Sequence, residues 1–265
     1  MSDPFDNRWL EVCEAAARAG GEELRARRGG FTSREKARFD LVTDADEASQ
    51  DAIQRVIATH FPEHAFIGEE QAIRPPREAD QLTWVVDPLD GTTNYVHAYP
   101  HYAVSVALAR GNDVLAGVVY DPIADQCFMA GAGRGAWCDG VRMRTSGITI
   151  VSHALVAVSL PAHVTRDSLD LFDFIEAAQV CQGVRRSGSA ALNFAHVAAG
   201  ALDAFWARHI QPWDVAAGVL LVREAGGVVT SRDGGQFDLW NPQFLAAAGE
   251  DLHAEMLGVL SRGVS

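Results

Sequence analysis

Thr83-Trp84-Val85-Val86-Asp87-Pro88-Leu89-Asp90-Gly91-Thr92-Thr93-Asn94 is the stretch on which the reading turns. Its first four residues are nearly all apolar, the pattern of a short strand covered on both faces. Asp87 is expected to end that strand. Pro88 fixes a backbone angle and removes an N–H donor, and Gly91 lets backbone come close to a ligand. Two carboxylates three residues apart at a strand end can converge on one point, with the Leu89 carbonyl between them as a third oxygen. No Lys or Arg lies between positions 82 and 95. Buried acids without a basic partner need a cation or a proton. An all-oxygen donor set suits magnesium, manganese or calcium. The Gly91 and Thr92 amides, at the start of a helical turn, can then hold a phosphate. An ordinary turn is the plainer alternative for Asp-Pro or Asp-Gly alone; the whole hexapeptide behind a buried strand favours a site.

Outward from this motif the chain reads as alternating elements. Ala65-Phe66-Ile67-Gly68 is a second short strand, running into Glu69-Glu70. Alone those acids are a solvated loop; beside the first motif Glu69 becomes an extra metal ligand. Thr43 caps a helix with Asp46 three residues on, and Pro62 closes it. Asp44 and Asp46 are therefore either dipole-favoured cap residues or a third acidic cluster. A first helix opens at Asp3-Pro4 and ends near Gly29-Gly30, followed by a loop over 31–40. Positions 74–81 carry Pro75-Pro76 and read as a loop. Downstream, 103–109, 114–120 and 126–130 form an antiparallel meander with turns at Gly111-Asn112 and Asp121-Pro122. The remainder alternates: strand 155–160, helix 169–181, helix 189–199, strand 202–206, helix 212–225, strands 228–230 and 244–246, and helix 250–260. Pro212-Trp213-Asp214 starts the third of these helices, whose next residues are small and apolar. Asp214 is then a cap or, given those surroundings, a ligand. The pattern implies mixed sheets between layers of helices. One domain over 1–265 is expected, with a first half near 1–148, a second near 149–265 and 145–153 as the hinge.

The formal net charge of -13 on 265 residues disfavours nucleic acid and anionic membranes as partners. A bound cation must reverse the local sign if the substrate is itself an anion. The four cysteines form no C-x-x-C pair and have no zinc-ligand spacing, as in a reducing cytosol. With no signal core and no spanning apolar run, the expected location is the cytoplasm.

Together these blocks resemble the inositol monophosphatase family of lithium-sensitive, magnesium-dependent phosphatases. Asp87-Pro88-Leu89-Asp90-Gly91-Thr92 matches its first signature, and 213–218 through Glu224-Ala225-Gly226-Gly227 matches its second. Leu41-Val42-Thr43 with Asp46, and Ile67-Gly68-Glu69-Glu70, match two further blocks in order, so similarity runs from about 40 to 227. The resemblance implies an α/β fold, a layered α-β-α-β-α sandwich with mixed and antiparallel sheets, commonly a homodimer. It implies that Glu69, Asp87, Asp90, Asp214 and the Leu89 carbonyl hold two or three Mg2+ ions, with Mn2+ a possible substitute. Asp46 would act with Thr92 on the attacking water, and Glu70 would lie beside it. Gly91 and Thr92 would cradle the phosphate, Gly188, Ser189 and Ala190 would line the alcohol portion, and Asp90 would contact the substrate as well as the metal. The implied activity is hydrolysis of a small polyol-type phosphate ester, above all inositol 1-phosphate, by direct attack of water.

The sequence departs from the family in the specificity region. Ala207 stands where inositol-selective members have a Glu, and no Ser occurs at Leu160-Pro161-Ala162, where another hydroxyl contact is expected. A histidinol-phosphate phosphatase of the same fold therefore stays open, as does a non-catalytic binding or regulatory module. The chain is short for classical fructose bisphosphatases. Arg208 and His209 read as a surface pair beside a helix start, the alternative being a pair that meets a differently charged alcohol.

Overall fold

The computed structural model describes residues 5–37, 40–70 and 80–261. The Asp3-Pro4 helix opening and most of the proline-bearing loop over 74–81 fall outside them. Helix α1 (Asn7–Arg27) starts where the Asp6 side chain accepts from the Arg8 amide. Most of the segment expected as a loop over 31–40 is instead an antiparallel hairpin, β1 (Ser33–Ala37) with β2 (Asp40–Thr43). Helix α2 (Asp44–His60) follows, and Thr43 and Asp46 close a capping box on it.

A seven-stranded sheet comes next, built in spatial order from β3 (Ala65–Gly68), β4 (Leu82–Asp90), β5 (Ala103–Arg110), β6 (Asp113–Asp121), β7 (Gln126–Gly131), β8 (Gly135–Cys138) and β9 (Val141–Arg142). Only β3 and β4 run parallel. The short helix α3 (Thr92–Val96) lies between β4 and β5. After a 3-10 turn (Val151–His153) the chain adds β10 (Leu155–Ser159), α4 (Leu169–Val180), β11 (Gly183–Arg185), α5 (Ala190–Ala198), β12 (Ala204–Ala207), α6 (Pro212–Glu224), β13 (Val228–Ser231), β14 (Phe244–Ala247) and α7 (Glu250–Leu260). These strands make a second sheet in the order β11-β10-β12-β14-β13. The strands β8, β9 and β11 were not anticipated from the sequence.

Alternation along β5 sets the layers. Val104, Val106 and Leu108 pack with Trp84 and Val86 against Val12, Ala16 and Leu24 of α1 and Ile53 of α2. The intervening Ala103, Ala107 and Ala109 face α5 and α6, in a core that continues into Ala157, Phe205 and Phe244 of the second sheet. The far side of that sheet, through Val158, Trp206 and Leu245, packs on Ala177 of α4 and Leu252 and Met256 of α7. The result is the α-β-α-β-α sandwich that the family resemblance implies, with the mixed sheets between helical layers expected from the element pattern. Helix α6 lies between two sheets and is buried on nearly every side, as a helix apolar all round should be. Small residues let it approach: a Cβ on Gly117 of β6 would sit 2.9 Å from the Ala217 Cα. Among the described residues no helix is long and apolar enough to cross a membrane.

Candidate active site

Strand β4 does not end at Asp87. It runs on to Asp90, and its register against β5 slips between them: Asp87 pairs with Ser105 and Asp90 with Ala103. Three steps on β4 match two on β5, which is a β-bulge of one residue at Pro88-Leu89. In a regular strand, residues three apart point to opposite faces. The extra residue restores parity, so both carboxylates point into the layer where α5 and α6 begin. The Pro88 carbonyl accepts from Ser49 Oγ of α2 at 2.8 Å, and Asp87 Oδ1 accepts from the Leu89 amide at 3.0 Å. Gly91 then turns the chain at φ +100°. A Cβ there would lie 3.1 Å from the Gly188 carbonyl, so glycine is needed for both conformation and space.

Asp90 spans into the second half of the chain. Its oxygens accept from the Ala190 amide at 3.1 Å and the Ala191 amide at 2.8 Å, the first turn of α5. Ser189, the N-cap of α5, donates its hydroxyl to the same carboxylate. Ser189 is fully buried, so it reaches the cavity only through Asp90. Gly188 and Ala190, by contrast, line the cavity directly.

Asp214 is the third residue of α6, and its Oδ2 accepts from the Gln211 amide at 2.8 Å. Ser105 Oγ of β5 donates to the Trp213 carbonyl at 3.2 Å, which ties the start of α6 beside the bulge. One oxygen from each of Asp87, Asp90 and Asp214 lies within 4.8 Å of the others. Glu69, whose amide donates to the Val86 carbonyl at 3.3 Å, adds its charge to the group. Burial, then the charges of Glu69, Asp90 and Asp214, holds the Asp87 carboxyl well above the usual range. Burial and the neighbouring Asp90 charge push Asp214 up to about 8. Burial also raises Asp90 to about 6, despite the donors from α5.

Among the described residues, none of Asp87, Asp90 and Asp214 has an ion-pair partner. Close buried acids of this kind are stable only with protons or a cation between them. Their donors are hard oxygens, which suits a divalent ion such as Mg2+. The Leu89 carbonyl stands at the same corner, 3.2 Å from Thr92 Oγ1.

Asp46 completes a separate arm. It is also the third residue of its helix, and its Oδ2 accepts from the Thr43 amide at 2.8 Å and the Thr43 hydroxyl at 2.6 Å. Its Oδ1 is left to accept from the Thr92 hydroxyl at 3.2 Å. Asp46 is wholly buried, and burial raises it to about 6, with the Glu70 charge adding to the rise. The Glu70 amide donates to Gln50 Oε1 at 3.2 Å. Asp44 serves only locally, accepting from the amide and hydroxyl of Thr32 and so pinning the β1–β2 hairpin.

A cavity of about 1210 Å³ opens from Asp90, Thr92 and Asp214 towards Asp170, Arg208 and His209. Arg208 and His209 are thus cavity residues rather than a bystander surface pair. Leu160, Pro161 and Ala162 line the same wall, with Ser159 one residue upstream. Asp170 was not singled out from the sequence. The signal was present in α4, where acids occupy the face that a surface helix would make apolar.

The model of the Inositol monophosphatase family matches residues 6–264. An Inositol-1-monophosphatase from Caulobacter vibrioides is 38% identical over 225 residues, covering 84% of this chain and 88% of that protein. The solved extragenic suppressor protein suhB from Bartonella henselae superimposes with a TM-score of 0.89 at 34% identity, over 96% of this chain and 98% of that one. A structure of IMPase/NADP phosphatase complexed with Mg2+ and phosphate has a TM-score of 0.81 at 26% identity, over 91% of this chain and 90% of that one. With the family model matched from the first helix to the last, this chain belongs to the inositol monophosphatase family, and so to the phosphoric monoester hydrolases.

Proposed function

We propose that the protein is a magnesium-dependent phosphatase of small polyol-type phosphate esters, with inositol 1-phosphate as its reference substrate. The observation that carries the reading is the convergence of Asp87, Asp90 and Asp214 without a basic partner among the described residues. Glu69, the three aspartates and the Leu89 carbonyl would hold two or three Mg2+ ions, or Mn2+ in their place. A relative of the same fold that carries Mg2+ and phosphate supports this. Bound ions supply charge neutralisation at the phosphoryl group and acidify water.

The chain's own groups do the rest. The Thr92 hydroxyl, held by Asp46 Oδ1, accepts a hydrogen bond from the attacking water and passes its own proton towards Asp46. Asp46, with one oxygen committed to Thr43, is fixed in direction. Glu70 adds a second carboxylate beside that path. The Gly91 and Thr92 amides orient the phosphate oxygens. Water attacks directly and no phosphoenzyme forms. We place the enzyme in the cytoplasm, the compartment its cysteine pattern suits, and by family resemblance as a homodimer. The suppressor name of one structural relative keeps a regulatory role in view, but the complete acid set favours turnover.

The test is phosphate release from inositol 1-phosphate and histidinol phosphate, with Mg2+ and with excess chelator. Release is expected only with the metal; turnover undiminished in chelator would overturn the proposal.

A further inference from the structure

The far wall of the cavity is built by α4 and by residues 207–211, where the chain leaves β12. Helix α4 is turned inside out for a surface helix. Leu169, Phe172 and Ile175 are exposed, while Asp170 and Asp173 are buried. Asp173 accepts a fork from Arg208, at 2.8 and 3.3 Å, and a second fork from Arg232, at 3.0 and 2.6 Å. Asp170 lies 3.4 Å from His209 Nδ1. Buried ion pairs contribute little net stability compared with an apolar face of the same volume. What this network does supply is direction. Arg208 is held by Nε and Nη2, and its Nη1 has no hydrogen-bond partner among the described residues.

The charge at this wall opposes that of the molecule. Away from the Asp90–Asp214 corner, the described charged residues that line the cavity are Arg186 and Arg208 against Asp170, an excess of one positive charge before His209 is counted, in a chain of formal net charge -13; Asp173 and Arg232, which do not line it, pair with each other. Among the described cavity-lining residues, Asp170 is the only acid outside the Asp90–Asp214 corner, and it is engaged with His209. Ala207 offers no acid to meet a sugar hydroxyl and is wholly buried. The cavity also exceeds the roughly 300–1,000 Å³ usual for a drug-sized ligand.

We infer that this wall receives an anionic group on the alcohol side of the ester, so that the enzyme prefers esters carrying a second phosphate or a carboxylate to neutral polyol phosphates. The inference rests on the phosphatase reading of the acidic corner. Anionic oxygens on the leaving group meet guanidinium donors already fixed in place, which lowers the ordering cost of binding.

Three esters of one sugar test it with Mg2+: glucose 1-phosphate, glucose 1,6-bisphosphate and glucuronic acid 1-phosphate, each followed by release of the 1-phosphate. The expected kcat/KM for at least one anionic ester exceeds that for glucose 1-phosphate by about tenfold, or about 1.4 kcal/mol. Which of the two gains identifies phosphate or carboxylate as the preferred group. Arg208→Gln and Arg186→Gln should each pull this ratio towards one. The ratio compares two esters on one enzyme, so a general loss of fold or metal cancels from it. Arg186 is exposed, so its variant serves if Arg208→Gln does not fold. No preference in the wild type, or a preference that survives substitution, would overturn the inference. Silence on all three esters would remove the phosphatase reading itself, and this inference with it.

Discussion

Asp46 and Asp214 hold the same position in two different helices, and each gives one oxygen to the N-cap amide while turning the other towards the site. Cap and functional ligand are therefore not alternatives, which is why the sequence pattern did not decide between them. Asp214→Asn separates the two roles, because an amide oxygen can still accept from Gln211 while the charge is gone. Its turnover should fall by ~10²-fold or more, yet in chelator at pH 8 it should melt above the wild type. A lower melting temperature there would show that the charge is not a burden to the metal-free fold. The pH dependence follows with a definite sign. Asp87, Asp90 and Asp214 all titrate above the ordinary carboxylate range in the folded chain. The folded state thus keeps protons that the unfolded state releases, and stability contributed by these groups falls as pH rises from about 4 towards 8. Half-buried His101 and His196, whose pKa values desolvation lowers, drift the other way. The diagnostic quantity is therefore the gain in melting temperature on adding Mg2+, in which they largely cancel. That gain should grow from pH 5 to pH 8; a gain independent of pH would separate the acids from the metal.

At the scale of elements, the bulge in β4 is what makes the signature work, and it was only half legible. The hexapeptide announces two acids near a strand end, but their parity is set by pairing with β5, which no local pattern encodes. The β1–β2 hairpin was missed for a related reason. Ser33-Arg34-Glu35-Lys36-Ala37 is charged and poor in residues that favour strands. It is held by its partner strand and by ties such as Arg34 to Glu47 at 2.7 Å. β8, β9 and β11 have four, two and three residues, too few to show a period. Helix α6, by contrast, was read closely from its apolar run and its Pro-Trp-Asp start. Its seating depends on Gly117, since an added Cβ would press on helix backbone 2.9 Å away. Gly117→Ala should cost about 1–3 kcal/mol and shift the helix that carries Asp214, weakening Mg2+ affinity as well. Gly249→Ala, with open space around it, should change stability by no more than about 0.5 kcal/mol. Calorimetry and a Mg2+ titration of both variants decide it: equal effects would mean that α6 is not seated on that glycine.

Over the whole molecule, the acids meet because two layers meet. Asp87 and Asp90 come from the first sheet, Asp214 from the start of the middle helical layer, and α5, which holds Asp90, from the same layer. The layering was readable from the alternation of strand and helix patterns along the chain, whereas the meeting of Asp90 with Asp214 depends on long-range packing that spacing along the chain does not report. The central core joins Val85 and Ala107 of one sheet to Phe205 and Phe244 of the other through α5 and α6. We propose on that ground that the two halves, about 1–148 and 149–265, unfold together. Mg2+ bound between acids of both halves should then stabilise that one transition. At a hundred times its dissociation constant a single ion contributes about 2.7 kcal/mol, and each kcal/mol raises the midpoint of a chain this size by roughly 2–4 °C. Scanning calorimetry should accordingly show one endotherm in chelator, moved upward intact by Mg2+. Two resolved endotherms, or a metal shift confined to one of them, would mean that the halves are separate units and that the acids of one alone hold the ion.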